Sequence, residues 1–66
     1  MISQNIKSLR MQKGLTQKEL ADLLHVTSQA VSRWEKGAVE PSVDTISKMA
    51  SIFEVTTDEI IDGPNK

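Results

Sequence analysis

The sequence predicts an all-α fold of five short helices around one core. Three observations carry this reading. Apolar residues recur at helical spacing in five separate stretches, and none of these alternates as a strand would. Thr16, Thr27, Ser42 and Thr56 each stand just before one of the stretches, where an N-cap belongs. Gly14, Gly37, Pro41 and Gly63 punctuate the intervals between or after them. Only His25, Val26 and Thr27 separate the second helix from the third, which makes that pair a helix-turn-helix.

Helix 1 is expected over residues 3–13. Ile2, Ile6 and Leu9 fall at i, i+4 and i+7 on one face, and Gly14 stops the helix. Thr16 caps helix 2, which runs to Leu24. Glu19 at the third helical position completes a T-x-x-E capping box, and Leu15 can staple onto Leu20. Leu20, Ala21, Leu23 and Leu24 form its inward stripe.

Thr27 caps helix 3, Ser28–Lys36, with Val26 stapled to Val31. Val31 and Trp34 are three apart and share the inward face, and Gly37 ends the helix. Residues 38–41 form a loop, since Pro41 cannot sit in a helix interior. Ser42 caps helix 4, whose inward face is Val43, Ile46, Met49, Ala50 and Phe53. Thr56 and Glu59 make a second capping box, with Val55 and Ile60 as its staple, and helix 5 ends at Gly63. Met11 and Met49 read as packing residues. Residues 1–63 are expected to form one domain, with 64–66 as a polar tail or the start of a linker.

Sixty-six residues suffice for one small domain, which buries only about 60 % of the surface its unfolded chain exposes. Cysteine is absent, which excludes disulfides and thiolate metal sites and fits a reducing cytoplasm. No apolar run approaches the roughly 18 residues of a membrane span. The N-terminus lacks a charged segment followed by an apolar block, so no signal peptide is read there. The expected location is the cytoplasm.

Net charge is −1, but it is unevenly spread. Residues 1–36 carry Lys7, Arg10, Lys13, Lys18, Arg33 and Lys36 against Glu19, Asp22 and Glu35, a net of +3. Residues 37–66 carry Lys48 and Lys66 against Glu40, Asp44, Glu54, Asp58, Glu59 and Asp62, a net of −4. Such asymmetry suggests one face for a polyanion and an acidic far side.

The chemistry concentrates on helix 3. With Val31 and Trp34 inward, Ser28, Gln29, Ser32, Arg33 and Lys36 fall on the opposite face, all hydrogen-bond donors. No acid interrupts that stripe, and Glu35 lies to its side. A merely solvated face would mix both signs. Gln29 suits adenine N6 and N7, and Arg33 suits guanine O6 and N7. Gln17 and Lys18 stand at the N-terminus of helix 2, where free backbone N–H groups welcome a phosphate. Trp34 reads as core rather than as a base-stacking platform.

Enzyme chemistry finds no support. There is no nucleophile–base pair, no metal-ligand cluster and no phosphate loop. His25 is the single histidine, so it reads as a turn residue rather than a ligand or base. No cofactor and no metal are expected.

The stretch resembles the phage-repressor/Cro-like (Xre-type) helix-turn-helix family. The residues that carry the resemblance are Gln17, Glu19-Leu20-Ala21, Val26, Val31-Ser32, Trp34-Glu35 and Gly37. Pro41, Phe53-Glu54-Val55 and Asp58-Glu59-Ile60-Ile61 continue it downstream, so that it spans about residues 5–63. The resemblance implies a five-helix repressor-type domain that binds double-stranded DNA as a homodimer on an inverted-repeat operator. It implies base contacts from Ser28, Gln29 and Arg33, and contacts shared between bases and backbone from Ser32, Thr27 and Lys36. It implies a phosphate contact at Gln17 and an ion pair between Arg10 and Glu35. Two departures stand out. His25 replaces the family's left-handed turn glycine, and the loop Ala38-Val39-Glu40-Pro41 lacks the basic residues many relatives carry.

The function expected is therefore sequence-specific DNA binding by a transcriptional regulator, a repressor, with helix 3 in the major groove. Lys18 joins Gln17, Thr27 and Lys36 as a phosphate contact. Val55, Thr57, Asp58 and Ile61, near the junction of helices 4 and 5, are candidates for the dimer contact. The alternative reading keeps the fold as a protein-interaction module or antitoxin-type regulator. A protein-docking face on helix 3 would be richer in exposed apolar side chains.

Overall fold

In the computed structural model, five helices follow one another in the expected order: α1 (Ile2–Gln12), α2 (Gln17–Leu24), α3 (Ser28–Lys36), α4 (Val43–Phe53) and α5 (Thr57–Asp62). The structure describes residues 1–63, and these contain no strand. The tail or linker expected at residues 64–66 lies outside them. Helix α1 begins and ends one residue earlier than its apolar spacing suggested.

The chain punctuates itself by local hydrogen bonds. After α1, Gly14 turns left-handed at φ +71°, and the Leu15 N–H reaches back to the Arg10 carbonyl at 3.1 Å. These bonds satisfy carbonyls the helix leaves open. Thr16 Oγ1 accepts the Glu19 N–H at 3.0 Å, while Glu19 Oε1 accepts the Thr16 N–H at 2.8 Å, so the capping box is complete. Thr27 and Ser42 cap α3 and α4 in the same manner through Ala30 and Thr45. The second box forms only by half. Thr56 Oγ1 accepts the Glu59 N–H, but the Glu59 carboxylate takes the Thr56 hydroxyl at 3.4 Å instead of its backbone N–H.

Among the described residues, two left-handed positions are not glycine. His25 ends α2 at φ 59°, in the conformation its place in the turn demands. Glu54 ends α4 at the same φ, with no glycine or asparagine to announce it. Each side chain is placed at some cost in a region glycine occupies freely.

Ile6, Leu20, Ala21, Leu24, Val31, Trp34, Ile46, Met49, Ala50, Phe53 and Ile60 form one buried core. Helix α1 lies across α3 and α5, α2 packs on α3, and α4 closes the bundle against α5 and α2. Asn5 Nδ2 donates to the Ile60 carbonyl at 2.8 Å and ties the first helix to the last.

Three residues expected to pack do not. Leu23 is 53 % exposed, because Leu20, Ala21 and Leu24 span an arc that leaves it beyond the edge. Val43 shares the face of Ala50 but sits in the first turn of α4, past the rim of its neighbours, and is 82 % exposed. Met11 is exposed, since it lies on the side of α1 opposite Ile2.

Candidate nucleic-acid interface

Helix α3 is clamped from behind. Val31 is fully buried and Trp34 is 8 % exposed, so the phase of the helix is fixed by two side chains one turn apart. The opposite side then faces outward as a matter of geometry. Ser28, Gln29, Arg33 and Lys36 are exposed there, and Ser32 is half-buried beside them. Nine residues at about 1.5 Å each give a rod about 13 Å long, on the scale of a major groove about 12 Å wide.

The one acid of α3 is turned away from this surface. Arg10 Nε donates to Glu35 Oε2 at 2.6 Å and Arg10 Nη2 to Glu35 Oε1 at 3.1 Å. Their side chains are 12 % and 4 % exposed. Arg10 Nη1 also reaches the Leu15 carbonyl at 2.7 Å, which holds the guanidinium in place from the loop before α2. Such a paired, hydrogen-bonded charge is the form in which a carboxylate tolerates burial. The outward face of α3 therefore carries the positive charges of Arg33 and Lys36 with no carboxylate of its own.

The remaining candidates border α3. Gln17 opens α2 and is half-buried, with its Nε2 donating to Glu35 Oε1 at 3.0 Å. Lys18 is exposed and pairs with Asp22 at 3.2 Å, one turn along. A pair so open to water is worth about 0–1 kcal/mol, so Lys18 can exchange Asp22 for another anion. Thr27 is exposed, and its Oγ1 accepts the Ala30 N–H, which leaves its hydroxyl hydrogen free to donate. Among the dimer candidates, Thr57, Asp58 and Ile61 are exposed and Val55 is half-buried against the core.

Away from this face, Lys13 Nζ donates to Glu54 Oε1 at 2.6 Å. That hydrogen bond, with the ammonium's charge behind it, holds the Glu54 carboxyl below its ordinary range. No signal in the sequence joins residues 41 positions apart, and the pairing was not expected. The same holds for Gln17 and Glu35.

Among the described residues no three of His, Asp and Glu are placed to hold a metal ion. Two clefts of about 150 and 220 Å³ fall below the roughly 300–1,000 Å³ of small-molecule sites. No helix among the described residues is long and apolar enough to cross a membrane.

A profile of the helix-turn-helix family matches residues 6–60. The chain is 36 % identical over 61 residues to the HTH-type transcriptional activator BcrR of Enterococcus faecalis, a match covering 92 % of this chain and 30 % of BcrR. Three such curated relatives are covered over only 30 to 58 % of their own lengths. The crystal structure of SinR, a master regulator for biofilm formation, in complex with DNA superposes with a TM-score of 0.86 at 30 % identity. That match covers 94 % of this chain and all of the other. The P22 c2 repressor, crystallised with a synthetic operator, shares the fold with a TM-score of 0.89 at 20 % identity, over 97 % of both chains. With the matched profile spanning most of its length and the fold shared throughout, the chain belongs to the helix-turn-helix family of the phage-repressor/Cro type.

Proposed function

We propose that this domain binds double-stranded DNA sequence-specifically as part of a transcriptional regulator, with α3 in the major groove and α2 across the backbone. One observation carries the reading. The outward surface of α3 offers donors and positive charge, while its only carboxylate is drawn inside by Arg10. The relatives support it, since BcrR is named a transcriptional activator and SinR was crystallised with DNA.

In this reading Ser28, Gln29, Ser32 and Arg33 meet base edges, with Gln29 matched to adenine and Arg33 to guanine. Gln17, Lys18, Thr27 and Lys36 hold phosphates on either side of the groove. Two copies bind an inverted repeat whose half-sites lie about one helical turn, roughly 34 Å, apart. Val55, Thr57, Asp58 and Ile61 supply the contact between them. Repression follows from occupancy alone, because a domain seated on a promoter blocks it without further chemistry. The site of action is the cytoplasm, where the DNA of a prokaryote or phage lies, and no catalytic step is involved.

Selection of bound duplexes from random DNA at defined salt tests the proposal. Enrichment of a short inverted repeat supports it. Recovery of unenriched sequence, or of no DNA, overturns it.

A further inference from the structure

Glu35 touches two helices besides its own. Its carboxylate accepts two bonds from Arg10 of α1 and one from Gln17 of α2. A carboxylate can only accept, so the end of the Gln17 amide that meets it is the nitrogen. One N–H is thereby committed to Glu35, and the second takes no partner among the described residues. The orientation of that second donor is set by Glu35.

Gln17 is also the first residue of α2. Thr16 satisfies the backbone N–H groups of Glu19 and Leu20, through its hydroxyl and its carbonyl. The N–H groups of Gln17 and Lys18 precede these in the turn and remain for an outside acceptor. A bare carboxylate 3.0 Å from the Gln17 nitrogen would repel an approaching phosphate. Arg10 cancels that charge, and its third donor is fixed on the Leu15 carbonyl.

We propose that Glu35 is a positioning residue for DNA binding: it turns the free N–H of Gln17 toward a backbone phosphate, with Arg10 neutralising the carboxylate so that the phosphate can approach. The proposal rests on the DNA-binding reading above. It makes one carboxylate of the groove-facing helix set the donor geometry of the helix behind it. The placement of α3 over the bases and the hold of α2 on the backbone are then coupled rather than independent.

The test uses a selected duplex in which single phosphates are replaced, one at a time, by neutral methylphosphonates. One replacement is expected to weaken the native protein about tenfold, the size of one hydrogen bond to a charged group. Gln17→Ala should lose affinity by a similar factor on the unmodified duplex and become indifferent to that replacement. Glu35→Asp keeps the negative charge but draws the carboxylate back from both Gln17 and Arg10, and should show the same indifference at that phosphate on top of any general weakening. Uniform weakening by Glu35→Asp, with the methylphosphonate penalty intact, makes Glu35 a brace only and overturns the proposal. A measurement on the native protein stands beside these. By NMR, one of the two Gln17 side-chain amide protons, the one donated to Glu35, should lie downfield of its free-glutamine position and exchange slowly with solvent. Both protons at free-glutamine positions with unslowed exchange overturn the proposal. If the native protein binds no selected duplex, the DNA reading itself falls and this inference with it.

Discussion

Arg10 takes Glu35 off the outward surface of α3. The two side chains meet at 2.6 and 3.1 Å, 25 residues apart in the chain, and both are largely buried. The pair therefore has two consequences. It braces α1 against α3, and it leaves α3 with donors and cations as its face to solvent.

Removing one partner should be costly. Arg10→Met strands a buried carboxylate and is expected to lower stability by about 3–5 kcal/mol. The double substitution Arg10→Met with Glu35→Leu should recover part of that loss, because the unpaired charge is then gone. Urea denaturation of both variants checks this, and an unchanged midpoint for Arg10→Met would refute it.

Arg33 is expected to read one base pair. Arg33→Ala should remove about 1–3 kcal/mol of discrimination at a single position of the selected site. The comparison is made by repeating the selection with the variant. Recovery of the same motif at every position would exclude Arg33 from base readout.

Lys18 and Lys36 are expected to act on every sequence alike. Lys18→Ala and Lys36→Ala should each weaken binding across specific and random duplexes. Each should also flatten the plot of log affinity against log salt concentration by about 0.9. A slope that does not move rules out the phosphate contact of the lysine concerned.

His25→Gly should stabilise the domain. The left-handed conformation costs a non-glycine residue roughly 1–2 kcal/mol, and glycine's greater freedom in the unfolded chain offsets about half of that. A net gain of about 0.5–1 kcal/mol is expected in thermal or urea unfolding. A loss would mean that the imidazole makes contacts the turn depends on.

Much of this architecture is legible without coordinates because the signals are local. A cap and its helix lie within three residues, so Thr16, Thr27, Ser42 and Thr56 mark their starts directly. Val31 and Trp34 fix the phase of α3, and with it which side chains face outward. Periodicity fails at edges and ends. It cannot separate Leu23, just outside its arc, from Leu20 and Leu24, nor see that Val43 overhangs the bundle. Glu54 is not a residue type that marks a left-handed position, and it closes α4 through the same backbone bonds, Glu54 N–H to Ser51 and Val55 N–H to Ala50, that close α2 at His25. The Arg10–Glu35 pair is the one long-range contact that the family resemblance marks in advance. The bonds of Gln17 to Glu35, Lys13 to Glu54 and Asn5 to Ile60 join distant parts of the chain, and one sequence holds no record of which will meet.

The Asn5–Ile60 bond bears on how the domain breathes. It closes a loop of 55 residues, and the six-residue α5 it holds is too short to persist by itself. Amide protons of α5 should therefore exchange with solvent sooner than those of α3, through partial opening rather than global unfolding. Because α5 rests on α1 and α4, that opening can occur while α3 keeps its seat.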